Sequence, residues 1–279
     1  YQPLNPSADT IRVLYFENFK KHSEPIRCRL VHVEFGQRPK YNALSYTWGD
    51  ESTKYDIYVD GQKVQVGFNL FDALKSLRRR KGGIPIWADA ICINQQDIPE
   101  RNRQIRIMAH IYARAVKVLV FLGIQSPSLD MDEEERYRLL SHHPYWERVW
   151  IVQEIFKARN IEVCFDSERL RWKDFITNLD ELVSRTNKPH KFDRHLRLKY
   201  EHNQTLLFLL KAYRSSKCKD PRDKIYGFVG LASDCHRFPI DYSKTTYEVW
   251  KDTVTFISRQ PRYDAWNMAR IGSLIKRLL

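Results

Sequence analysis

Between Ile84 and Gly123 the chain runs strand, helix, strand, and this alternation restricts the fold more than any other feature. The segment from Ile84 to Ile91 is mostly apolar, the pattern of a strand buried on both faces. Asp97 then supplies a cap and Pro99 an early proline. Ile105, Met108, Ile111, Tyr112 and Ala115 follow at helical spacing, and Val116 to Gly123 is apolar again. Strands joined through a helix lie parallel with a right-handed crossover, so the pattern predicts an α/β sheet with neighbouring parallel strands near Ser45, Trp87 and Val118.

The flanking segments extend this reading. Ile11–Phe16 and Ile26–Phe35 are β-rich and predict an N-terminal hairpin, with a bulge where the apolar phase shifts between Leu30 and Val31. Tyr41 to Asp50 reads as a strand ending in a turn, and Tyr55 to Val66 as a second hairpin around Asp60-Gly61. Asn69 to Asp72 has a capping-box pattern opening a helix with Leu70, Ala73, Leu74 and Leu77 on one face. Later signals are a helix from Met131 to Leu140, another around Tyr145 to Ala158, a strand at Ile161–Phe165, and mostly helix from Trp172 onward. The expected organisation is one domain: an N-terminal β-hairpin over 1–40, an α/β core over 41–165 and a helical extension over 166–279.

Composition excludes several classes. With 43% hydrophobic residues the chain can bury a sizeable core, so disorder is not expected. No run reaches the roughly 20 apolar residues of a membrane span, and the polar N-terminus lacks the apolar region of a signal peptide, which gives a soluble, cytoplasmic expectation. A first residue that is not Met and an apolar last segment fit a piece of a longer protein. Five scattered cysteines without a Cys-x-x-Cys pair indicate neither disulfides nor a zinc site. His142-His143 has no partners at metal-ligand spacing, and no metal is expected. The net charge of +13 could suggest nucleic acid. Its densest run, Arg78 to Lys81, ends a helix before Gly82-Gly83, where cations complement the dipole, and Lys188 to His202 reads as a polar connector. Nucleic acid is therefore the least favoured partner. No phosphate-binding glycine motif occurs, which leaves NTPase and dinucleotide redox chemistry without local support.

Four blocks carry more information. Tyr41-Asn-Ala-Leu-Ser-Tyr-Thr-Trp-Gly-Asp50, Trp87 to Gln95 with Glu100, Arg101 and Gln104, Arg148-Val-Trp-Ile-Val-Gln-Glu154, and Asp220-Pro-Arg-Asp-Lys-Ile-Tyr226 with Gly230-Leu231 resemble, in order, the blocks of the fungal heterokaryon-incompatibility (HET) domain family. Ala88, where the family commonly has Ile or Val, and Phe165-Asp166, where Gly often follows the strand, are small departures. A weaker resemblance lies beneath: Ser45-Tyr46 to Asp50, Trp87-Ala88-Asp89 and Trp150 to Glu154 look like the strand ends and helix of TIR domains, with the second hairpin as an insertion. The resemblance implies a TIR-like (Rossmann/flavodoxin-like) parallel sheet, a role in cell death, self-association, and fused or partner NLR-like regulatory domains.

In TIR enzymes the helix glutamate is essential for cleaving NAD⁺, and the resemblance transfers that role to Glu154, with NAD⁺ as substrate and no required cofactor. Ser45, Tyr46, Trp48, Gly49, Asp50, Trp87, Asp89, Asn94, Gln95, Arg148 and Trp150 are the expected substrate-binding residues, near strand C-terminal ends where open α/β sheets bind ligands. One carboxylate suffices chemically, because nicotinamide leaves a pyridinium as a neutral base and needs no protonation. Trp150 and Glu154 are four residues apart, which sets an indole beside the carboxylate on one helical face. Other readings stay open. Trp48, Trp87 and Trp150 are equally readable as core, Asp50, Asp97 and Asp220 to Asp223 as turn and cap residues, and Glu154 as a brace to Arg148 or another cation.

Overall fold

The computed structural model describes residues 1–21, 23–50, 52–78, 83–123, 135, 139–165, 168–186, 204–260 and 265–279. Its strands are β1 Thr10–Phe16, β2 Arg27–Glu34, β3 Asn42–Tyr46, β4 Lys54–Val59, β5 Gln62–Gly67, β6 Ile86–Trp87, β7 Val118–Phe121, β8 Ile161–Phe165 and β9 Glu168–Arg171. The helices are α1 Phe68–Leu77, α2 Asp89–Cys92, α3 Ile98–Arg114, α4 Ile151–Lys157, α5 Trp172–Thr186, α6 Leu206–Ala212, α7 Asp223–Val229, α8 Thr246–Ser258 and α9 Ala265–Leu278. The class is α/β, a mixed sheet flanked by helices. The chain divides into two compact units: unit 1 is Tyr1–Asn94, Ala113–Trp146 and Ala158–Asp193, and unit 2 is Gln95–Tyr112, Glu147–Lys157 and Arg194–Leu279.

Unit 1 holds one sheet in the order β5-β4-β2-β1-β6-β3-β7-β8-β9. The three expected strands are neighbours and parallel: Ala43 of β3 faces Trp87 of β6 on one side and Val118 of β7 on the other, and β8 continues the parallel run beside β7. Every residue of β7 and residues 43–46 of β3 are buried, as mostly apolar runs require of strands covered on both faces, with Ser45 as the one polar residue among them. Both hairpins extend this same sheet, since β1 pairs with β6 through Leu14 and Ile86 while β2 runs parallel to β4. Asp60 (φ 51°) and Gly61 (φ 76°) make the two-residue turn between β4 and β5, both in the left-handed region that a type I′ hairpin demands.

Several local expectations give way to side-chain chemistry. β1 and β2 pair without a break from Thr10–Glu34 to Phe16–Cys28, so there is no bulge. From Leu30 onward β2 is nowhere fully buried, and its apolar phase is therefore not fixed by packing. The strand read over Ile84–Ile91 is cut to Ile86–Trp87, because Asp89 Oδ1 accepts a hydrogen bond from Ala90 N (2.8 Å) and opens α2. Helix α1 starts behind Gly67 with no side-chain cap, and Asn69 instead donates from Nδ2 to Thr47 O at 2.9 Å. Past its end, Arg78 is buried, donates to Glu24 O at 2.8 Å and lies 4.5 Å over the Phe19 ring, so the first cation of the basic run is a structural one. Arg79, Arg80, Lys81 and Gly82 lie outside the described residues, as do Asp166, the connector from Lys188 to His202 and most of the helix read over Met131–Leu140. Strand β9, antiparallel to β8, carries a single apolar residue and leaves no pattern to read.

Unit 2 is helical. Val149, Val152, Leu209, Ile225, Val249 and Ile275 are fully enclosed in its core, where burying each aliphatic side chain contributes roughly 1.5–3 kcal/mol. Its helix starts are chemically specified. Asp97 Oδ1 accepts from Glu100 N at 2.9 Å before α3, Thr205 caps α6, and Thr245 with Glu248 forms a full capping box on α8. The helix read around Tyr145–Ala158 resolves into a 3-10 turn, Pro144–Glu147, followed by α4.

Candidate functional site

In unit 1 the chain leaves β3 at Tyr46 and turns back through residues 47–50. Gly49 has φ 73°, and a Cβ placed there would lie 2.5 Å from Asn69 Nδ2, so the loop can lie this close to α1 only as glycine. Trp48 Nε1 donates to Asp89 Oδ2 at 3.0 Å, which ties the C-terminal end of β3 to that of β6. Both side chains remain half-buried. Ser45 Oγ shares a buried hydrogen bond with Tyr145 Oη (2.5 Å), and Tyr46 and Trp87 are core residues. Asp50 is exposed and folds onto its own loop, accepting from Ser52 N (2.9 Å) and Ser52 Oγ (2.5 Å), bonds that hold its carboxyl below the usual range. Asn94 is half-buried at the end of the unit's first segment. The structure thus brings Trp48, Gly49 and Asp89 together and places Ser45, Tyr46 and Trp87 in the core.

Unit 2 contains Gln95, Arg148, Trp150 and Glu154. Trp150 sits just ahead of α4, and Glu154 N donates to Trp150 O at 3.3 Å, so the four-residue spacing survives with the indole at the head of the helix rather than within it. Arg148 forms a parallel bridge with Lys217, beside Val149 N donating to Lys217 O at 2.9 Å. Glu154 is only 2% exposed, and Glu100, Gln104 and Gln153 are as deeply buried. Polar groups at such depth are costly unless hydrogen-bonded. Neither amide atom of Gln153 has a protein partner among the described residues. A Cβ on Gly230 would come within 2.9 Å of Gln153 Oε1 and 2.8 Å of Ala109 Cβ, which explains a glycine where no unusual φ requires one.

Two residues of this unit escape a reading of the sequence. Asp220 is the turn residue expected, accepting from Arg222 N at 3.0 Å and Nε at 2.9 Å. Asp223 is not a cap: it is 9% exposed, accepts Tyr242 Oη on Oδ1 (2.6 Å) and Trp150 Nε1 on Oδ2 (3.0 Å), and burial pushes its carboxyl up to about 6. The available signal is its spacing, three and four residues before Tyr226 and Gly227 on the buried face of α7. Tyr242 leaves no such signal.

Among the described residues no cluster of His, Cys, Asp and Glu could hold a metal ion. Burial lowers His143 to about 4 and raises the thiols of Cys28, Cys92 and Cys164 to about 12, which leaves the imidazole uncharged and these sulfurs protonated near neutrality. No described helix is long and apolar enough to cross a membrane.

Residues 41–140 match the family model described as Heterokaryon incompatibility protein (HET). Heterokaryon incompatibility protein 6, OR allele, of Neurospora crassa is 28% identical over 217 residues, covering 68% of this chain and 30% of the relative, so the chain spans less than a third of that protein's length. No solved structure matches. The matched region contains two of the four motif blocks, and over that stretch the chain is similar to the heterokaryon-incompatibility (HET) family.

Proposed function

We propose that this chain is a cell-death effector domain of heterokaryon incompatibility that hydrolyses NAD⁺ when it self-associates, with Glu154 as its catalytic residue. The name of the Neurospora relative supports the incompatibility role. The observation that carries the chemistry is a glutamate 2% exposed on the first turn of α4, directly bonded through its backbone to Trp150. Ionisable groups kept at such depth concentrate at functional sites. In the reaction the bond from ribose C1′ to the pyridinium nitrogen breaks and its electron pair neutralises the departing nicotinamide. The Glu154 carboxylate stabilises the oxocarbenium-like centre, water adds at C1′, and its proton passes to solvent, giving nicotinamide and ADP-ribose. Dependence on self-association keeps such an enzyme silent when dilute, so its rate rises faster than linearly with protein concentration.

The same burial favours a second reading, a non-enzymatic signalling or oligomerisation module that recruits death-pathway partners, in which Glu154 braces α4. Incubating concentrated protein with NAD⁺ and following nicotinamide release separates the two. Glu154→Gln keeps the shape and removes the charge. Lost release with an unchanged melt supports catalysis. A stability lowered by roughly 3–5 kcal/mol, the cost of stranding a buried cation, supports the brace. A normally melting variant that still releases nicotinamide refutes the catalytic role.

A further inference from the structure

The segment that follows α7 is drawn back toward it by two ions. Asp220 is paired with Arg222 through Oδ2 at 2.7 Å. Arg222 Nη1 in turn donates to Tyr242 O (2.6 Å) and Lys244 O (2.8 Å). Arg101 from α3 lies 3.5 Å over the Tyr242 ring and 3.4 Å from Asp220. The Tyr242 hydroxyl is thereby delivered to one oxygen of Asp223, and the Trp150 indole occupies the other. Gly227, one turn along α7, closes the opposite side: a Cβ there would lie 3.2 Å from Val149 Cγ1 and 3.9 Å from Trp150 Cδ2. Trp150 is thus held by a hydrogen bond at its ring nitrogen and by packing on its carbons. Its carbonyl accepts the Glu154 amide.

We infer that Asp223 is a positioning residue, which orients the first turn of α4 and with it Glu154 by fixing the Trp150 indole. An indole N–H can only donate, so without an acceptor at Asp223 the half-buried ring loses its partner and turns to find another. The groups facing Asp223 are Arg101 from α3, Asp220 from the preceding turn, Tyr242 from the following segment and Trp150, with Cys218 also within electrostatic reach. The donors to its two oxygens, a phenol and an indole, are both neutral, which suits a residue that acts by geometry rather than by charge. The catalytic consequence rests on the proposed role of Glu154, whereas the orienting role does not.

The test compares Asp223→Ala, Asp223→Asn, Trp150→Phe and the Asp223→Ala/Trp150→Phe double variant, in the whole chain and well below the melt. Asn presents an oxygen to Trp150 and an amide to Tyr242 Oη, which can accept, so it retains the geometry. Hydrogen exchange at the Glu154 amide should quicken about tenfold in Asp223→Ala and in Trp150→Phe, no further in the double variant, and return close to the parent rate in Asp223→Asn, the scale of losing one hydrogen bond. Nicotinamide release should follow the same order in kcat with KM little changed. Glu154 exchange unaltered by Asp223→Ala, or additive effects in the double variant, overturns the inference even if the enzyme is active. Exchange that changes as expected in a protein that releases no nicotinamide upholds the orienting role and refutes the catalytic reading alone. Should Asp223→Ala fail to fold, Trp150→Phe and Asp223→Asn decide: equal exchange in both refutes it.

Discussion

Gly49→Ala probes the loop that ends β3, and its cost can be worked from two separate terms. An L-residue at φ 73° occupies the left-handed region, which costs about 1–2 kcal/mol relative to glycine. The new Cβ would lie 2.5 Å from Asn69 Nδ2 and 3.1 Å from its Cγ, so the Asn69 side chain must swing away and forfeit its 2.9 Å bond to Thr47 O. Losing that bond adds about 1 kcal/mol. The expected destabilisation is therefore about 2–3 kcal/mol. Asn69→Ala alone should cost about 1 kcal/mol, and in its background Gly49→Ala should cost only the backbone term, so the double variant is less destabilised than the sum by about 1 kcal/mol. Urea unfolding read by two optical probes measures this and reveals whether one unit melts separately. Strict additivity refutes the clash with Asn69, and a single-variant cost below about 0.5 kcal/mol refutes the backbone term as well.

Gly230→Ala should destabilise by about 1–3 kcal/mol, because Ala109 has no rotamer with which to yield and the helices must separate; an unchanged urea midpoint would refute it. The raised carboxyl of Asp223 makes a pH-dependent contribution of determinate sign. Its folded value of about 6 lies above the unfolded 3.8, so the stability it confers is complete below 3.8 and is lost as pH rises through 6. Crossing that window costs the folded state about 3 kcal/mol. Asp223→Asn should therefore gain stability relative to the parent between about pH 4 and 7, and a relative loss over that window would contradict the assignment of burial as the dominant cause.

What is legible in the sequence depends on how many residues share the burden of each signal. The parallel run of β6, β3 and β7 is readable because covering both faces of a strand forces apolar side chains at nearly every position, and Ala43–Tyr46 and Val118–Phe121 meet that demand. The turn at Asp60-Gly61 is readable because only a few residue types tolerate two successive positive φ angles. Where one side chain decides, the pattern misleads. Asp89 ends a strand that apolarity alone would continue, and Asn69 is diverted from capping by a carbonyl 22 residues back.

The candidate site divides on the same principle. Motif spacing predicts an indole beside the carboxylate on one helical face, whereas the helix begins after Trp150 and the observed link is the backbone bond from Glu154 N to Trp150 O, a local event. Asp223 is misread as a cap because its capping chemistry and its buried-acceptor chemistry use the same carboxylate, and the choice between them is made by Tyr242 and Trp150, residues distant from it in sequence by 19 and 73 positions. Tyr242 itself is placed by backbone carbonyls accepting from Arg222, a contact that leaves no mark on residue type at the accepting positions. The indole only donates, and Asp223 Oδ2 is the oxygen that takes it while Oδ1 takes Tyr242. A substitution at either should therefore report on both, which makes the motif blocks around Trp150 and Asp223 one physical element despite their separation along the chain.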